Sequence, residues 1–359
     1  PKKQTMSQYT APKTVHLLPS NSRNTSRFTK FLADWDLDLN NQFFLVLGSG
    51  PIEADARIKN RKKTDNLLTE LPKAILTTNN SKKVIIHGLF NPFIIILLSL
   101  TPKTFLPSLF WVVWGGDLYA EPPAKRFSKK FILYKLKKRA IKKIGNIITY
   151  IPGDAGLISK KFEATPKIHN CLMYPGNLYK IPTGNARKRD QQNIARVIIG
   201  NSGSPENNHH AVFKALSENN NFSGHVYCPL AYGDSYYIED VIKLGFDLFG
   251  NRFHALQNYL DLNKYVDLVS KMDAAIYNYD RQQGMGNIIT MLGLDIPTFI
   301  NSNTTPWELF QSLGLTIFDT KTIGEVDFKK LPLPLNSHII ESEFSEKNLA
   351  RQWKAILET

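Results

Sequence analysis

The feature that most constrains this chain is a rhythm that runs through it twice. Short apolar runs, each the length of one strand, alternate with stretches of helical spacing. In the first half the runs fall at Thr14 to Leu18, Gln42 to Gly48, Lys83 to His87, Leu109 to Trp114, Asn146 to Ile151 and Lys167 to Met173. In the second they fall at Ala195 to Ile199, Gly224 to Pro229, Phe246 to Leu248, Ala274 to Tyr277, Pro297 to Asn301 and Leu315 to Phe318. Runs that are apolar throughout, rather than at alternate positions, suit parallel strands covered on both faces. The covering helices are expected at Ser26 to Trp35, Thr64 to Leu71 ahead of Pro72, and His210 to Leu216 with Asn207 as its cap. Further ones are expected at Tyr236 to Leu244, Asn263 to Met272, Thr305 to Leu313 and Ser345 to Leu357. Such alternation builds βαβ units, so the expected class is α/β, with two doubly wound domains facing a cleft. Between the halves, Pro175 to Asn193 is polar, contains Pro and Gly, and has no period, which is the composition of a linker. The expected division is a first domain over 1–180, a linker over 181–193, a second domain over 194–342 and a terminal helix over 343–359.

Charge narrows the partners. The 359 residues carry a net charge of +14, which points to a polyanion: nucleic acid, anionic lipid or a phosphate-bearing substrate. No zinc, RNP-like or helix-turn-helix signature accompanies the charge, so nucleic acid is not the expected partner. Ten basic residues lie from Lys125 to Lys143, and no acid occurs between Glu121 and Asp154. Interleaved Phe127, Phe131, Tyr134, Ile141 and Ile144 fall near helical spacing, which makes a basic amphipathic helix suited to an anionic membrane surface. The residues expected to face it are Lys125, Arg126, Lys129, Lys130, Lys137, Lys138 and Lys142. The plainer reading is a solvated crossover helix whose apolar face serves the core. The longest apolar run, Pro92 to Leu100, is too short to span a bilayer. Cys171 and Cys228 form neither a disulfide framework nor a metal motif. Pro1 to Pro12 lack an apolar signal core, with Met6 a candidate native start.

Two glycine turns offer chemistry for phosphate. In Tyr279 to Asn301, a loop holding Arg281, Gln282 and Gln283 precedes a helix that begins near Gly284 or Gly286, with Asn287 in its first turn. Unpaired N–H groups at a helix start, beside a guanidinium, suit a phosphate. The other turn, Gly200-Asn201-Ser202-Gly203, follows a strand, and its small residues let backbone amides approach a ligand. It lacks both a Walker sequence and full GxGxxG spacing. Alone, each reads equally well as a tight turn; together they are expected to converge on one diphosphate, with Asn207 and His209 alongside. With a cation and a helix start to hold that charge, no metal is expected. In the first half, His87 and Asp117 stand next to glycine at strand ends and are the leading candidates for acid–base work, with His16 behind them. Asp34-Trp35-Asp36 has the form of a DxD metal motif but ends a helix, where solvated acids are the better reading.

HGLFNP (His87 to Pro92), WVVWGGDLY (Trp111 to Tyr119), GNSG with Asn207 and His209, and RQQGMG (Arg281 to Gly286) followed by GLDIPTFIN and Pro306-Trp307 occur in this order. From about Val15 through Trp353 the chain resembles the bacterial 4-acetamido-4,6-dideoxygalactose (Fuc4NAc) transferases of enterobacterial common antigen assembly. The resemblance implies a GT-B glycosyltransferase, peripheral on the cytoplasmic face of the inner membrane. It would move the sugar from a dTDP-linked donor to an undecaprenyl-diphosphate-linked saccharide. It implies that the second domain holds the donor, through Gly200, Asn201, Ser202, Gly203, Asn207, His209, Arg281, Gln282, Gln283, Gly284, Gly286 and Asn287. The first would hold the acceptor, through Asn91, Trp114 and Tyr119, with Asp117 or His87 deprotonating its hydroxyl or orienting its sugar, and the terminal helix would pack back on that domain. The residues alone leave a second class open: a non-catalytic module at a membrane surface that binds nucleotide or lipid phosphate.

Overall fold

The computed structural model describes residues 13–20, 23–48, 55–76, 83–106, 108–125, 128–180, 195–260 and 262–359. The chain divides into two compact units, one of Pro1–Gly176 with Glu346–Thr359, the other of Asn177–Ser345. The linker expected over 181–193 lies outside the described residues.

The first unit contains β1 (Thr14–Pro19), β2 (Gln42–Leu47), β3 (Arg61–Thr64), β4 (Lys83–His87), β5 (Ser108–Val112), β6 (Asn146–Thr149) and β7 (Lys167–Asn170). They alternate with α1 (Arg23–Asp34), α2 (Leu67–Leu76), α3 (Pro92–Leu100), α4 (Gly116–Tyr119), α5 (Lys129–Ile141) and α6 (Gly153–Phe162). All strands pair in parallel in the order β3-β2-β1-β4-β5-β6-β7. Every residue of β2 and β4 is buried, as strands covered on both faces require.

The second unit contains β8 (Arg196–Ile199), β9 (His225–Pro229), β10 (Phe253–Leu256), β11 (Ala274–Tyr277), β12 (Thr298–Ile300) and β13 (Phe318–Asp319). Its helices are α7 (His209–Glu218), α8 (Ser235–Phe249), α9 (Leu262–Val269), α10 (Met285–Gly293), α11 (Thr305–Ser312) and α12 (Ser337–Glu343). The sheet is again all parallel, ordered β10-β9-β8-β11-β12-β13. The last helix, α13 (Glu346–Glu358), belongs to the first unit. There Trp353 is fully buried and its indole donates to the Met173 carbonyl (2.9 Å). The Lys83 ammonium closes the far end of α13 by donating to the carbonyls of Ile356 (2.8 Å) and Leu357 (2.9 Å).

Two local expectations fail and one strand goes unforeseen, each for a physical reason. Helix α2 runs through Pro72 instead of stopping before it. The proline deprives only the Leu68 carbonyl of its helical partner, and Leu68 is 72% exposed, where water can take over. Strand β3, Arg61-Lys62-Lys63-Thr64, has no apolar pattern because it lies at the sheet edge, where charge blocks further pairing. Phe246 to Leu248 is helix, not strand. Buried Val241, Gly245 and Phe249 recur every fourth residue along α8, and the following strand begins at Phe253.

Candidate functional site

Each sheet reverses its strand order once, between β1 and β4 and between β8 and β11. Doubly wound sheets take ligands at that reversal, outside the C-terminal ends of the strands. In the second unit the two glycine turns leave β8 and β11, the two strands that flank it.

Amides of the turn after β8 are engaged. The Gly200 N–H donates to the Ile276 carbonyl (2.9 Å), Asn201 N–H to Asn207 Oδ1 (2.9 Å) and Gly203 N–H to the Tyr232 carbonyl (2.8 Å). These amides therefore have acceptors already, which corrects the expectation that they face a phosphate. The Asn207 amide donates to Ser202 Oγ (3.2 Å) and the Ser204 carbonyl (3.0 Å). Asn207 thus fastens the turn rather than capping α7, which starts at His209 after a left-handed Asn208. Ser202 is buried. His209 is also buried, with Nδ1 3.3 Å from the Tyr237 hydroxyl. Burial, chiefly, pushes its pKa down to about 4, so it is neutral, and its buried Nε2 has no side-chain partner among the described residues.

The turn after β11 is open. Helix α10 starts at Met285, and Gly284 before it gives no side-chain cap. The N–H groups of Asn287 and Ile288 return to the Gly284 carbonyl (2.9 and 3.1 Å), while those of Met285 and Gly286 have no backbone or capping partner among the described residues. Gln282 Oε1 and Gln283 Oε1 are buried and also lack a partner there. Arg281 donates to the Gln282 carbonyl (3.2 Å) and reaches across to Glu206 Oε1 (3.3 Å) beyond the β8 turn.

The two turns touch. Tyr279 donates its hydroxyl to Asn201 Oδ1 (2.7 Å), and Asn201 Nδ2 donates to the Tyr232 hydroxyl (3.1 Å). A Cβ on Gly284 would stand 2.9 Å from the Tyr279 oxygen and 3.2 Å from Asn201 Cγ. With φ at +62° as well, the position needs glycine. Asn201, Arg281, Gln282, Gln283, Gly284, Gly286 and Asn287 thus gather on these two turns. Sequence reasoning passed over Tyr232, Tyr279 and Glu206. Only their place beside glycine turns marked them, since neither an aromatic nor an acid reads as a phosphate ligand.

In the first unit His16, His87 and Asp117 are buried, while Asn91, Trp114 and Tyr119 are partly exposed. Gln42 donates to the Leu37 carbonyl, so its Oε1 must accept, from His16 Nε2 (2.8 Å). His16 Nδ1 then accepts from His87 Nε2 (3.0 Å), and His87 Nδ1 accepts from the Tyr174 hydroxyl (2.6 Å). Tyr174 accepts in turn from the Trp114 indole (2.8 Å). Both histidines are buried and neutral. Burial pushes His16 down to about 3 and, with His16 as its neighbour, holds His87 well below the ordinary histidine value. Asp117 is equally engaged. Its Oδ2 accepts from Leu89 N–H and Trp111 Nε1 (both 2.7 Å), and its Oδ1 from Trp114 N–H (2.9 Å). Burial raises its pKa, against the pull of these bonds and of Lys137. His87 and Asp117, the candidates for taking the acceptor's proton, thus both engage their polar atoms inside the unit. Asn91 caps α3, accepting from Phe93 N–H (2.9 Å), and Tyr119 donates to Asp154 Oδ1 (3.1 Å).

The basic segment also divides. Lys125, Lys129 and Lys130 are exposed, and Arg126 lies outside the described residues. Lys137 is buried, with its ammonium donating to the Asp117 carbonyl (2.5 Å), so it cannot face a membrane. Lys138 and Lys142 share Glu163 (2.5 and 2.7 Å). Among the described residues no helix is long and apolar enough to cross a membrane, and no cluster of His, Cys, Asp and Glu is placed to hold a metal ion.

Comparison with known proteins bears on this arrangement. The model of a family described as 4-alpha-L-fucosyltransferase, glycosyl transferase group 56, matches residues 28–358. Among solved structures, a glycosyltransferase from Rickettsia africae superposes with a TM-score of 0.62 at 13% identity, over 98% of both chains. WaaG, a glycosyltransferase involved in lipopolysaccharide biosynthesis, gives 0.61 at 11% identity over 96% of this chain and 99% of its own. The lipopolysaccharide outer core galactosyltransferase WaaB gives 0.55 at 10% identity over 94% of each. At such identities the likeness is one of fold, and that fold is GT-B.

Proposed function

Because this chain belongs to glycosyl transferase group 56, the 4-alpha-L-fucosyltransferase family, it is a glycosyltransferase, and we propose that its second unit binds the nucleotide-sugar donor at the paired turns. The observation that carries the reading is the meeting of Asn201, Tyr279 and Gly284 where the strand order reverses, with Arg281 spanning both turns. When the bond from the sugar's anomeric carbon to phosphate breaks, negative charge grows on the departing diphosphate. The Arg281 guanidinium and the Met285 and Gly286 amides at the start of α10 are placed to meet that charge, so the reading needs no metal ion. The buried amides of Gln282 and Gln283, two of whose polar atoms lack partners, would be completed by donor hydroxyl or phosphate groups.

For the donor we propose dTDP-linked 4-acetamido-4,6-dideoxygalactose, and for the acceptor an undecaprenyl-diphosphate-linked saccharide at the cytoplasmic face of the bacterial inner membrane. L-Fucose, the sugar in the family's description, is 6-deoxy-L-galactose, so the two sugars share the 6-deoxygalactose constitution and the proposed one adds an acetamido group at C4. The ordered motifs from His87 to Trp307 support the finer choice. Calorimetry with dTDP, UDP and GDP, followed by transfer assays with the matching sugar nucleotides, tests it. Tightest binding of dTDP and transfer only in the presence of acceptor are expected. A preference for UDP or GDP overturns the donor assignment.

A further inference from the structure

Helix α3, Pro92-Phe-Ile-Ile-Ile-Leu-Leu-Ser-Leu100, has no polar outer face. Ile94, Ile95, Leu98 and Ser99 are buried in the first unit, while Phe93, Ile96 and Leu100 are turned to solvent, Leu100 at 67% exposure. A helix on the surface of a soluble domain carries polar side chains on that stripe. The apolar surface continues on either side of the helix. Phe90 precedes it, half exposed, Phe105 follows it at 71%, and Ile132 is exposed on α5, which packs alongside α3. The ridge is held in place at both ends. Asn91 caps its start, and the Lys143 ammonium donates to the carbonyls of Leu98 (2.9 Å), Ser99 (2.6 Å) and Thr101 (2.7 Å) at its end.

The charge around this ridge is one-sided. Residues 71–153 contain fourteen Lys or Arg against two acids, Asp117 and Glu121, a local balance of +12 in a chain whose total is +14. Asp117 is buried, and Glu121 is paired with Lys161 (2.7 Å). Lys103, Lys129, Lys130, Lys135 and Arg139 are exposed.

We propose that the α3 ridge inserts into the headgroup region of an anionic bilayer, with the neighbouring cations holding lipid phosphates. This rests on the reading that the acceptor is lipid-linked, and it names the surface that would reach it: α3 as the apolar anchor, α5 as its electrostatic partner. A second copy of the chain would also cover the ridge, but it would set two strongly cationic regions against each other. An anionic lipid surface satisfies both the apolar stripe and the charge.

Sedimentation with vesicles of phosphatidylcholine, with and without phosphatidylglycerol, tests the proposal. The wild type is expected to partition onto the anionic vesicles and to release as salt is raised. Phe93→Ser/Ile96→Ser/Leu100→Ser should lower the partition coefficient at least about tenfold. Lys129→Glu/Lys130→Glu should lower it about tenfold and flatten its salt dependence. Both variants should keep the wild-type melting temperature and the wild-type transfer rate to a short-chain, water-soluble diphosphate acceptor. Wild-type protein that ignores anionic vesicles, or a triple variant that sediments like the wild type, overturns the proposal. So does a wild-type dimer in analytical ultracentrifugation that the triple substitution converts to monomer. If vesicle binding follows these expectations but no lipid-diphosphate acceptor of either length is used, the docking surface stands and the acceptor assignment falls.

Discussion

The two units share a sheet plan yet handle the polar groups at their strand ends in opposite ways. In the first unit His16, His87, Tyr174, Trp114 and Asp117 form chains in which each named donor meets a buried acceptor. In the second, Gln282 Oε1, Gln283 Oε1 and the first amides of α10 are left without partners among the described residues. A buried polar group without a partner costs about 1–3 kcal/mol, so a fold keeps such groups where something else completes them. A histidine or aspartate beside a strand-end glycine therefore says little about catalysis until its partners are known. Saturated polar groups hold a structure together; unsaturated ones mark where a ligand belongs.

The largest effect expected from this contrast is on stability, at Asp117. Asp117→Ala would strand the buried Leu89 N–H and Trp111 indole and the part-buried Trp114 N–H, at about 1–3 kcal/mol for each buried donor, together about 3–5 kcal/mol in urea unfolding. A variant as stable as the wild type but inactive in transfer would reverse the assignment and restore Asp117 as a catalytic base. Arg281→Ala should do the opposite. Its ion pair with Glu206 is partly exposed, so stability should change by less than about 1 kcal/mol, while transfer falls about 10²–10³-fold. Near-normal turnover would break the proposed charge clamp.

Tyr174→Phe sharpens the contrast at a smaller scale. It removes the hydroxyl shared by His87 Nδ1 and Trp114 Nε1, and should lower stability by about 1–3 kcal/mol. Transfer per folded molecule should stay within a few-fold of wild type. A loss like that of Arg281→Ala would place this hydroxyl in the chemistry.

The sheets were legible in the sequence because a strand buried on both faces must be apolar throughout, as in QFFLVL of β2 or KVIIH of β4. β3 was not, since at an edge nothing requires apolar residues. The paired turns were legible as glycines at strand ends. Which of their amides were already engaged was not, because the acceptors of Gly200 and Gly203 are the Ile276 and Tyr232 carbonyls, 76 and 29 positions away in the numbering. The roles of His87 and Lys137 were hidden for the same reason, since each is set by a partner far along the chain, Tyr174 for His87 and the Asp117 carbonyl for Lys137.

The smallest effect per site is the most direct check on the closed chain of the first unit. His16 and His87 are held neutral in the folded protein, with pKa values below the unfolded value of about 6.5, and so is His209 in the second unit. A depressed folded pKa gives stability that is fully present above the unfolded value and is lost as pH falls below it, because the unfolded chain then takes protons that the fold refuses. Each histidine should steepen the loss by about 1.4 kcal/mol per pH unit between pH 6 and 5. Four tryptophans, Trp35, Trp111, Trp114 and Trp353, lie in the first unit and Trp307 in the second, so Trp307→Phe makes fluorescence a probe of the first unit alone. In that background, urea unfolding should weaken steeply from pH 6.5 to 5. His209→Asn should leave the slope unchanged, while His16→Asn should remove part of it, the rest staying with His87 and with His169, whose pKa burial also lowers. A flat profile would mean that the His16–His87 pair accepts protons in the folded state, and the distinction between a closed first unit and an open second one would fail at its most buried point.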